Sequence, residues 1–524
     1  MIHFVPSWYN PSRPWYSTDS VWFRSTAGVE SDDTVTQVRV FQHGDEPAGL
    51  VVLNYAPSLR RFLHGKDIFD VPYWSFFDQI QGLEDGYTRP IDFLGLEWPE
   101  DVSFHYNPFI VTVMQGDAVY ARVYLAREGT LQSVRYYGDG MPTLERIFDD
   151  RGFLSSVLMH DEDGNPLTQY YLSRDGDVIV SEDVPSGRID VVQNDEERFR
   201  HQSYESWEAL MGEFLGAYLG RRRGERDTVV LALSEQHNDL VAAALGDETL
   251  VLSRSAGRPS EAPAELLRRA GAVFSDVGRP ADGEAAEEAE EWALLPTLSI
   301  YPLERRPTFG ASANESEVYV SLFVDDITTE ELDYVIAIMA GQLVGDEHTR
   351  LLVCTLRSQD LDYLGAIQRV IDGYQHLDLA FLEEDETAGL SVDLGASEGP
   401  EEKIQLTFVD READLIRTMG RSRVLIDLGR PVNRRLAVEA VNAGVPQINR
   451  YEQELCTHPI NGYVIGDDAE LATALDHFLA GLEHWNQALV QCSVLEDLFS
   501  PREVLGRWDL IKEGVAYASP ADRA

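Results

Sequence analysis

The sequence predicts an α/β chain: two Rossmann-like lobes, with an antiparallel β-meander domain inserted in the first lobe. Three observations carry that expectation. Strand-like and helix-like segments alternate over residues 228–276 and again over 317–466, and such alternation means parallel sheets covered by helices. Between about 50 and 192 the apolar period is two, with turns at Asp139-Gly140, Asp163-Gly164 and Asp175-Gly176, a strong hairpin signal. At 524 residues the chain has room for roughly three domains of ~100–200 residues each.

In chain order, MIHFVP (1–6) reads as a buried strand, and Pro11 and Pro14 keep SWYNPSRPWY (7–16) from becoming a helix. The meander follows as FIVTVM (109–114), VYARVYL (119–125), SVRYY (133–137), FLSSVLM (153–159), TQYYL (168–172) and VIVS (178–181). From 205 the period changes: Trp207, Leu210, Met211, Phe214, Leu215, Tyr218 and Leu219 share one helical face. Strands at 228–234, 249–255 and 272–276 then alternate with helices near 238–245 and 261–270. Residues 277–291 are acidic with Pro and Gly, a linker composition. The second lobe offers strands at 317–324, 350–356, 377–382, 403–409, 423–429, 446–449 and 462–466, and an amphipathic tail from about 482 to 515. The expected domains are 1–48 with 193–300 (first lobe), 49–192 (insertion), 301–495 (second lobe) and 496–524 (helical tail).

The chain carries 90 acidic against 43 basic side chains, a formal net charge of -47, and its only lysines are Lys66, Lys403 and Lys512. At 44% hydrophobic and 10% aromatic it can bury large cores, so the charge does not imply global disorder. Such a field opposes non-specific binding to nucleic acid. Cys354, Cys456 and Cys492 are too few and scattered for a disulfide framework, and none has zinc-ligand spacing. The amino terminus lacks a basic region before an apolar run, and no window approaches ~18 uninterrupted apolar residues. The expectation is a reduced cytoplasmic protein with no cofactor and no metal.

RVLIDLGRPVNRRLAVEAVNAGVPQIN (423–449) resembles the donor-holding strand–loop–helix–strand of retaining two-lobed (GT-B) glycosyltransferases, with Glu439-Ala440 and Ala443-Gly444-Val445-Pro446 matching that family's "EA…AGVP" stretch. Asn433 falls where a helix amino terminus would point into the cleft that the resemblance implies. Two positions depart from the pattern. Where the family has a second carboxylate, eight residues before the glutamate, this chain has Pro431. Where active members carry a basic pair for the donor's diphosphate, it has Asp325-Asp326-Ile327-Thr328-Thr329-Glu330-Glu331. Four carboxylates facing a diphosphate would repel it.

FVPSWYNPSRPWY (4–16), Trp22-Phe23, DDTVTQVRVFQ (32–42) and VPYWSFFDQIQGL (71–83) resemble the family of accessory Sec system protein one, over essentially the whole chain. That resemblance implies a transferase-like fold without transferase activity, acting as a degenerate glycosyltransferase. The implied partners are accessory Sec system proteins two and three, a serine-rich repeat adhesin and the accessory Sec ATPase and channel. Peripheral contact with the inner face of the cell membrane is part of the same picture, and would need a local patch such as Arg221-Arg222-Arg223 or the arginines of 421–435. A run like 221–223 is also a common helix C-terminus, favoured by the dipole.

Gly395-Ala396-Ser397-Glu398-Gly399 fits the GxSxG nucleophile pattern, but Pro400 and an acidic stretch follow where a helix is required. Asp175-Gly176-Asp177 resembles a metal-binding DxD, yet a hairpin turn explains it fully. Trp8, Tyr9, Asn10, Arg13, Trp15 and Tyr16 have two readings. They pack the first lobe against the meander, or they line a cleft where rings stack on sugar or peptide. The rival function is an active glycosyltransferase using Glu439 with Arg421, Arg434 or Arg435 on the phosphates.

Overall fold

The structure, a computed structural model, describes residues 1–10, 12–16, 32–83, 89, 91–194, 197–220, 227–255, 258, 262–275, 297–298, 302–357, 360–374, 402–409, 411–429, 433–451 and 453–512. The expected strand at 377–382, the linker at 277–291, Ser397, the arginine run 221–223, Trp22-Phe23 and Pro431 lie outside the described residues. The chain forms two compact units, residues 1–253 with 260–271 and residues 254–259 with 272–524.

In the first unit β1 (Ile2–Val5), β2 (Ala48–Val52) and β3 (Tyr73–Ser75) alternate with α1 (Asp33–His43), α2 (Leu59–Gly65) and α3 (Phe76–Gln81). Asp32 caps α1 by accepting the Val35 N–H at 2.9 Å, so a stretch with no long apolar run still starts a helix cleanly. Ten antiparallel strands follow: β4 (Val102–Tyr106), β5 (Ile110–Gln115), β6 (Ala118–Leu125), β7 (Leu131–Gly138), β8 (Met141–Asp149), β9 (Phe153–His160), β10 (Pro166–Leu172), β11 (Val178–Asp183), β12 (Arg188–Val191) and β13 (Ser203–Tyr204). Each pairs with the next in sequence. The chain then returns through α4 (Trp207–Gly220), β14 (Thr228–Ala232), α5 (Asn238–Ala244), β15 (Thr249–Arg254) and α6 (Ala264–Arg269). Five strands of the parallel sheet run in the order β15-β14-β1-β2-β3.

The meander therefore starts later than the composition suggests. Residues 48–52 and 73–75 pair in the parallel sheet, and the antiparallel strands begin at Val102 instead of 49. The reason lies in burial: β2 is covered on both faces and reads as a short apolar run, which periodicity cannot separate from an alternating strand. The three Asp-Gly turns form hairpins as read, with Gly140, Gly164 and Gly176 at φ of 83°, 82° and 93°.

Two buried clusters fasten the antiparallel sheet inside this unit. The Tyr55 hydroxyl hydrogen-bonds the hydroxyls of Ser155 and Ser156, at 2.9 Å each, and its ring lies 5.1 Å from Tyr171. Tyr171 in turn meets Trp207 at 5.2 Å, and Gln81 donates to the carbonyls of Ser155 at 2.9 Å and Leu172 at 2.6 Å. The second cluster is ionic. Arg151, 3% exposed, donates to Asp149 at 2.8 and 3.0 Å and to Asp78 at 2.8 and 3.0 Å. Arg60 holds both oxygens of Asp149 at 3.0 Å and pairs with Asp150. The turn is crowded, since a Cβ on Gly152, at φ 87°, would sit 1.6 Å from the Arg89 carbonyl oxygen.

From Ala272 the second unit holds the remainder of β16 (Ala270–Ser275), whose Val273 and Phe274 pair with β17 (Thr297–Leu298). A six-stranded parallel sheet follows, built from β18 (Val318–Phe323), β19 (Thr349–Thr355), β20 (Ile404–Phe408), β21 (Ser422–Asp427), β22 (Gln447–Asn449) and β23 (Gly462–Val464) in the order β20-β19-β18-β21-β22-β23. Its helices are α7 (Thr329–Gly345), α8 (Leu361–Asp372), α9 (Glu412–Arg421), α10 (Arg434–Ala443) and α11 (Leu471–Leu479). The amphipathic tail resolves into α12 (Glu483–Leu498) and α13 (Pro501–Lys512), and Trp508 of the latter stacks on Phe274 at 4.4 Å. Compactness thus groups the chain from Ala272 onward with the second unit, ahead of the expected boundary at 301. Among the described residues no helix is long and apolar enough to cross a membrane.

Replacing Arg151 with Met would leave Arg60 as the one guanidinium of this cluster against the carboxylates of Asp149, Asp150 and Asp78. The expected loss is about 3–5 kcal/mol of unfolding free energy, read by denaturant melts. A loss within experimental error would refute the role given to this cluster.

Candidate functional site

Six of the expected site residues follow β1, in the first unit. Trp8 is buried with its ring edge-on to Phe62 at 4.7 Å. The Tyr9 hydroxyl bonds Nδ1 of buried His237, whose Nε2 lies 2.7 Å from the Ala232 carbonyl. A carbonyl only accepts, so the imidazole proton is assigned to Nε2, and the tyrosine donates to Nδ1. Asn10 turns its side-chain oxygen onto Ser12, accepting from the backbone N–H at 2.9 Å and the hydroxyl at 2.8 Å. Arg13 pairs with Glu182 of β11 at 2.5 Å and stacks over Tyr16 at 4.9 Å. Trp15 is buried and donates its indole N–H to Glu208 of α4 at 2.6 Å. Tyr16 lies 5.2 Å from Tyr55. These contacts fix the loop to the antiparallel sheet and to α4, so its rings do the packing work that was one of the two readings.

The other two residues belong to the second unit. Asn433 caps α10, its side-chain oxygen accepting the Arg435 N–H at 3.1 Å. Glu439 is 6% exposed and forms a two-point ion pair with Arg306, at 2.6 and 3.1 Å. Both oxygens are therefore engaged by a guanidinium in the fork geometry that suits a carboxylate. The helix ends as the AGVP stretch implied: Gly444 is left-handed at φ 73°, and a Cβ there would lie 2.5 Å from Leu489.

The carboxyl ends of β18 and β21 carry the charge feature of this sheet. Asp325 accepts from the Thr355 hydroxyl at 2.5 Å and the Leu356 N–H at 2.8 Å. Burial pushes its carboxyl up, despite these donors and Arg357. Asp427 accepts from the backbone N–H groups of Asn433 at 2.9 Å and Gly429 at 3.1 Å. Its carboxyl is pushed up to about 6, first by burial and then by repulsion from Asp326 and Asp325, against the pull of its two backbone donors. The acidic turn does not present all four of its carboxylates as expected. Glu331 closes a capping box with Thr328 and pairs with Arg450 at 2.9 Å. Asp427 joins the acidic front instead.

Sequence reasoning passed over Asp427, Arg306 and Arg450. A charged residue directly after the buried apolar run Val424-Leu425-Ile426 was a usable signal for Asp427. Nothing local marks Arg306, which meets Glu439 from 133 positions away. Of the alternative phosphate-binding arginines, Arg434 is paired with Glu454 at 2.6 Å and Arg421 lies over the Tyr319 ring at 4.1 Å. Among the described residues no group of three or more His, Cys, Asp or Glu is placed to hold a metal ion, and all three cysteines are free and buried.

A family model described as accessory Sec system protein one matches residues 1–514. The chain is 26% identical, over 98% of its own length and 99% of the relative's, to the curated protein of that description from Staphylococcus aureus (strain NCTC 8325 / PS 47). It is similar to a chain in the crystal structure of accessory secretory protein 1, 2 and 3 in Streptococcus pneumoniae, with TM-score 0.76, 24% identity and coverage of 98% and 99% of the two chains. It is also similar to the pneumococcal O-GlcNAc transferase GtfA in complex with UDP and GlcNAc, with TM-score 0.66, 12% identity and coverage of 99% of both chains. The fold is thus of the two-lobed glycosyltransferase kind.

Two outcomes test this geometry. Trp8→Ala and Trp15→Ala should each cost about 3–5 kcal/mol, as expected for emptying a buried aromatic site; unchanged melting would return the rings to a ligand-facing role. Asp427 has a folded pKa above its unfolded value, so the fold binds its proton more tightly. Its contribution is fully present below pH ~4 and is lost as pH rises through ~6, a change of about 3 kcal/mol. The stability difference between the wild type and Asp427→Asn should shrink by that amount over this range, and a constant difference would contradict it.

Proposed function

The chain belongs to the accessory Sec system protein one family, and from that membership we propose that it is a non-catalytic assembly component of the accessory Sec export pathway. In this reading it joins companion proteins two and three. It helps deliver a glycosylated serine-rich repeat adhesin to the accessory Sec ATPase and channel, with any membrane contact peripheral. The pneumococcal structure named for proteins 1, 2 and 3 supports the companions.

The observation that carries the non-catalytic part is the carboxylate front of Asp325, Asp326 and Asp427. Ligands of open parallel sheets bind outside the carboxyl ends of the strands, and a diphosphate there needs donors and positive charge. Here three carboxylates come together, close enough for Asp325 and Asp326 to raise Asp427. The donor-type glutamate is likewise engaged, since Glu439 is clamped by Arg306. The carboxylate front removes electrostatic stabilisation of a departing nucleotide, to which enzymes usually owe more of their rate than to any other single effect. The Arg306 clamp occupies the Glu439 oxygens that a sugar hydroxyl would otherwise donate to.

Calorimetry with UDP and a panel of UDP-sugars should give no saturable heat, and micromolar binding would return the chain to the enzymes. Co-expression with accessory secretory proteins 2 and 3 should yield one co-eluting complex. A chain that stays alone in their presence would overturn the assembly role.

A further inference from the structure

The ten-stranded antiparallel sheet ends differently at its two sides. One terminal strand, β13, is two residues long. The other, β4, is five residues long and pairs, among the described residues, only with β5. The register fixes which backbone groups of β4 point away from the sheet. Asn107 donates to the Ile110 carbonyl at 3.2 Å, so that pair is a hydrogen-bonded one. Bonded pairs recur every second residue in an antiparallel ladder. His105 opposite Thr112 and Ser103 opposite Met114 therefore exchange bonds with β5, while Val102, Phe104 and Tyr106 turn theirs outward. The Val102 N–H turns to the Pro99 carbonyl at 3.4 Å. The outward N–H and C=O groups of Phe104 and Tyr106 meet no backbone partner among the described residues.

Sheet edges of this kind are ordinarily blunted by lysine, by proline within the strand, or by a bulge. VSFHY contains neither residue, and its register with β5 is unbroken. Apolar surface accompanies the edge: Tyr106 is 64% exposed, Leu94 is 51% exposed, and the Phe93 ring lies edge-on to Tyr106 at 6.4 Å. The same stretch, 91–107, carries Asp92, Glu97, Glu100 and Asp101, and no lysine or arginine.

We propose that the outward edge of β4, unpartnered among the described residues, receives an extended strand from a different protein, with side chains that cover Tyr106 and Leu94 and with lysine or arginine opposite Glu100 and Asp101. Backbone bonds to Phe104 and Tyr106 give the affinity of such strand addition, and the side chains give its specificity. The charge selects against a second copy of this chain. Two identical edges would bring two sets of these carboxylates together on molecules that each carry a net charge of -47. The inference rests on the assembly role proposed above and names the surface and the kind of segment that meets it.

Residue-resolved hydrogen exchange on the chain alone and in its complex with accessory secretory proteins 2 and 3 tests it directly. The amides of Phe104 and Tyr106 should slow at least about tenfold in the complex, while those of Ser103 and His105 are protected in both states. Tyr106→Pro removes one outward donor at a position where an edge strand accepts proline, and should weaken the complex about tenfold or more without lowering the melting temperature. Reversal of Glu100 and Asp101 to lysine should weaken it most at low salt, because the attraction is screened. A complex that forms normally with unprotected Phe104 and Tyr106 amides and full tolerance of both variants overturns the edge proposal alone. Absence of any complex with the wild type brings down the assembly role and this inference together. Concentration-dependent self-association protecting the same amides assigns the edge to a second copy and overturns it.

Discussion

Arg151 enters the first unit between Asp149 and Asp78 with almost no water around it, and Arg60 closes the same group from the other side onto Asp149 and Asp150. Burying that many charges costs desolvation energy, and a well-packed apolar core of the same volume could be as stable. What the ions add is direction. Each guanidinium accepts only certain carboxylate positions, so β8 and its following turn can dock on α2 and α3 in one register. Tyr55 does the same with hydroxyls, reaching Ser155 and Ser156 from the loop after β2. A sheet of ten strands carried on a parallel core needs such fixed points, because apolar contact alone is tolerant of sliding.

The loop after β1 extends the same logic. Arg13 reaches Glu182 on β11, Trp15 reaches Glu208 on α4, and Tyr9 reaches His237 at the start of α5. Rings with polar handles are used here as two-sided connectors, apolar across the body and hydrogen-bonded at the tip. In the second unit a comparable substitution of roles occurs around α10. Glu439 and Asn433, expected from the sequence to face a ligand, are both engaged within the chain, one ion-paired and the other a helix cap. The acidic front at the strand ends puts carboxylates on a transferase-like architecture, and the assembly role proposed above rests on that charge.

The two periods of the sequence placed all six strands of the second unit's parallel sheet and six of the ten antiparallel strands, but not β2, β3, β4, β8, β12, β13 or the helices α1, α2 and α3. Where they worked, burial of one face, or of both, imposes spacing on the residues themselves. The Asp-Gly turns were readable for a local reason too: few residues adopt a left-handed backbone without strain. The boundary near residue 49 was misplaced because the parallel strands at 48–52 and 73–75 are too short to show which sheet owns them.

Sequence alone, then, determined the fold class, the family, the antiparallel ladder and the acidic turn that replaces a basic one. Only the tertiary structure decided which charges are satisfied. Arg306 with Glu439, Arg450 with Glu331, and Asp427 with Asp325 and Asp326 are partners separated by about a hundred positions or more. Electrostatic energy depends on distance and on burial, and neither is a property of a residue's place in the chain.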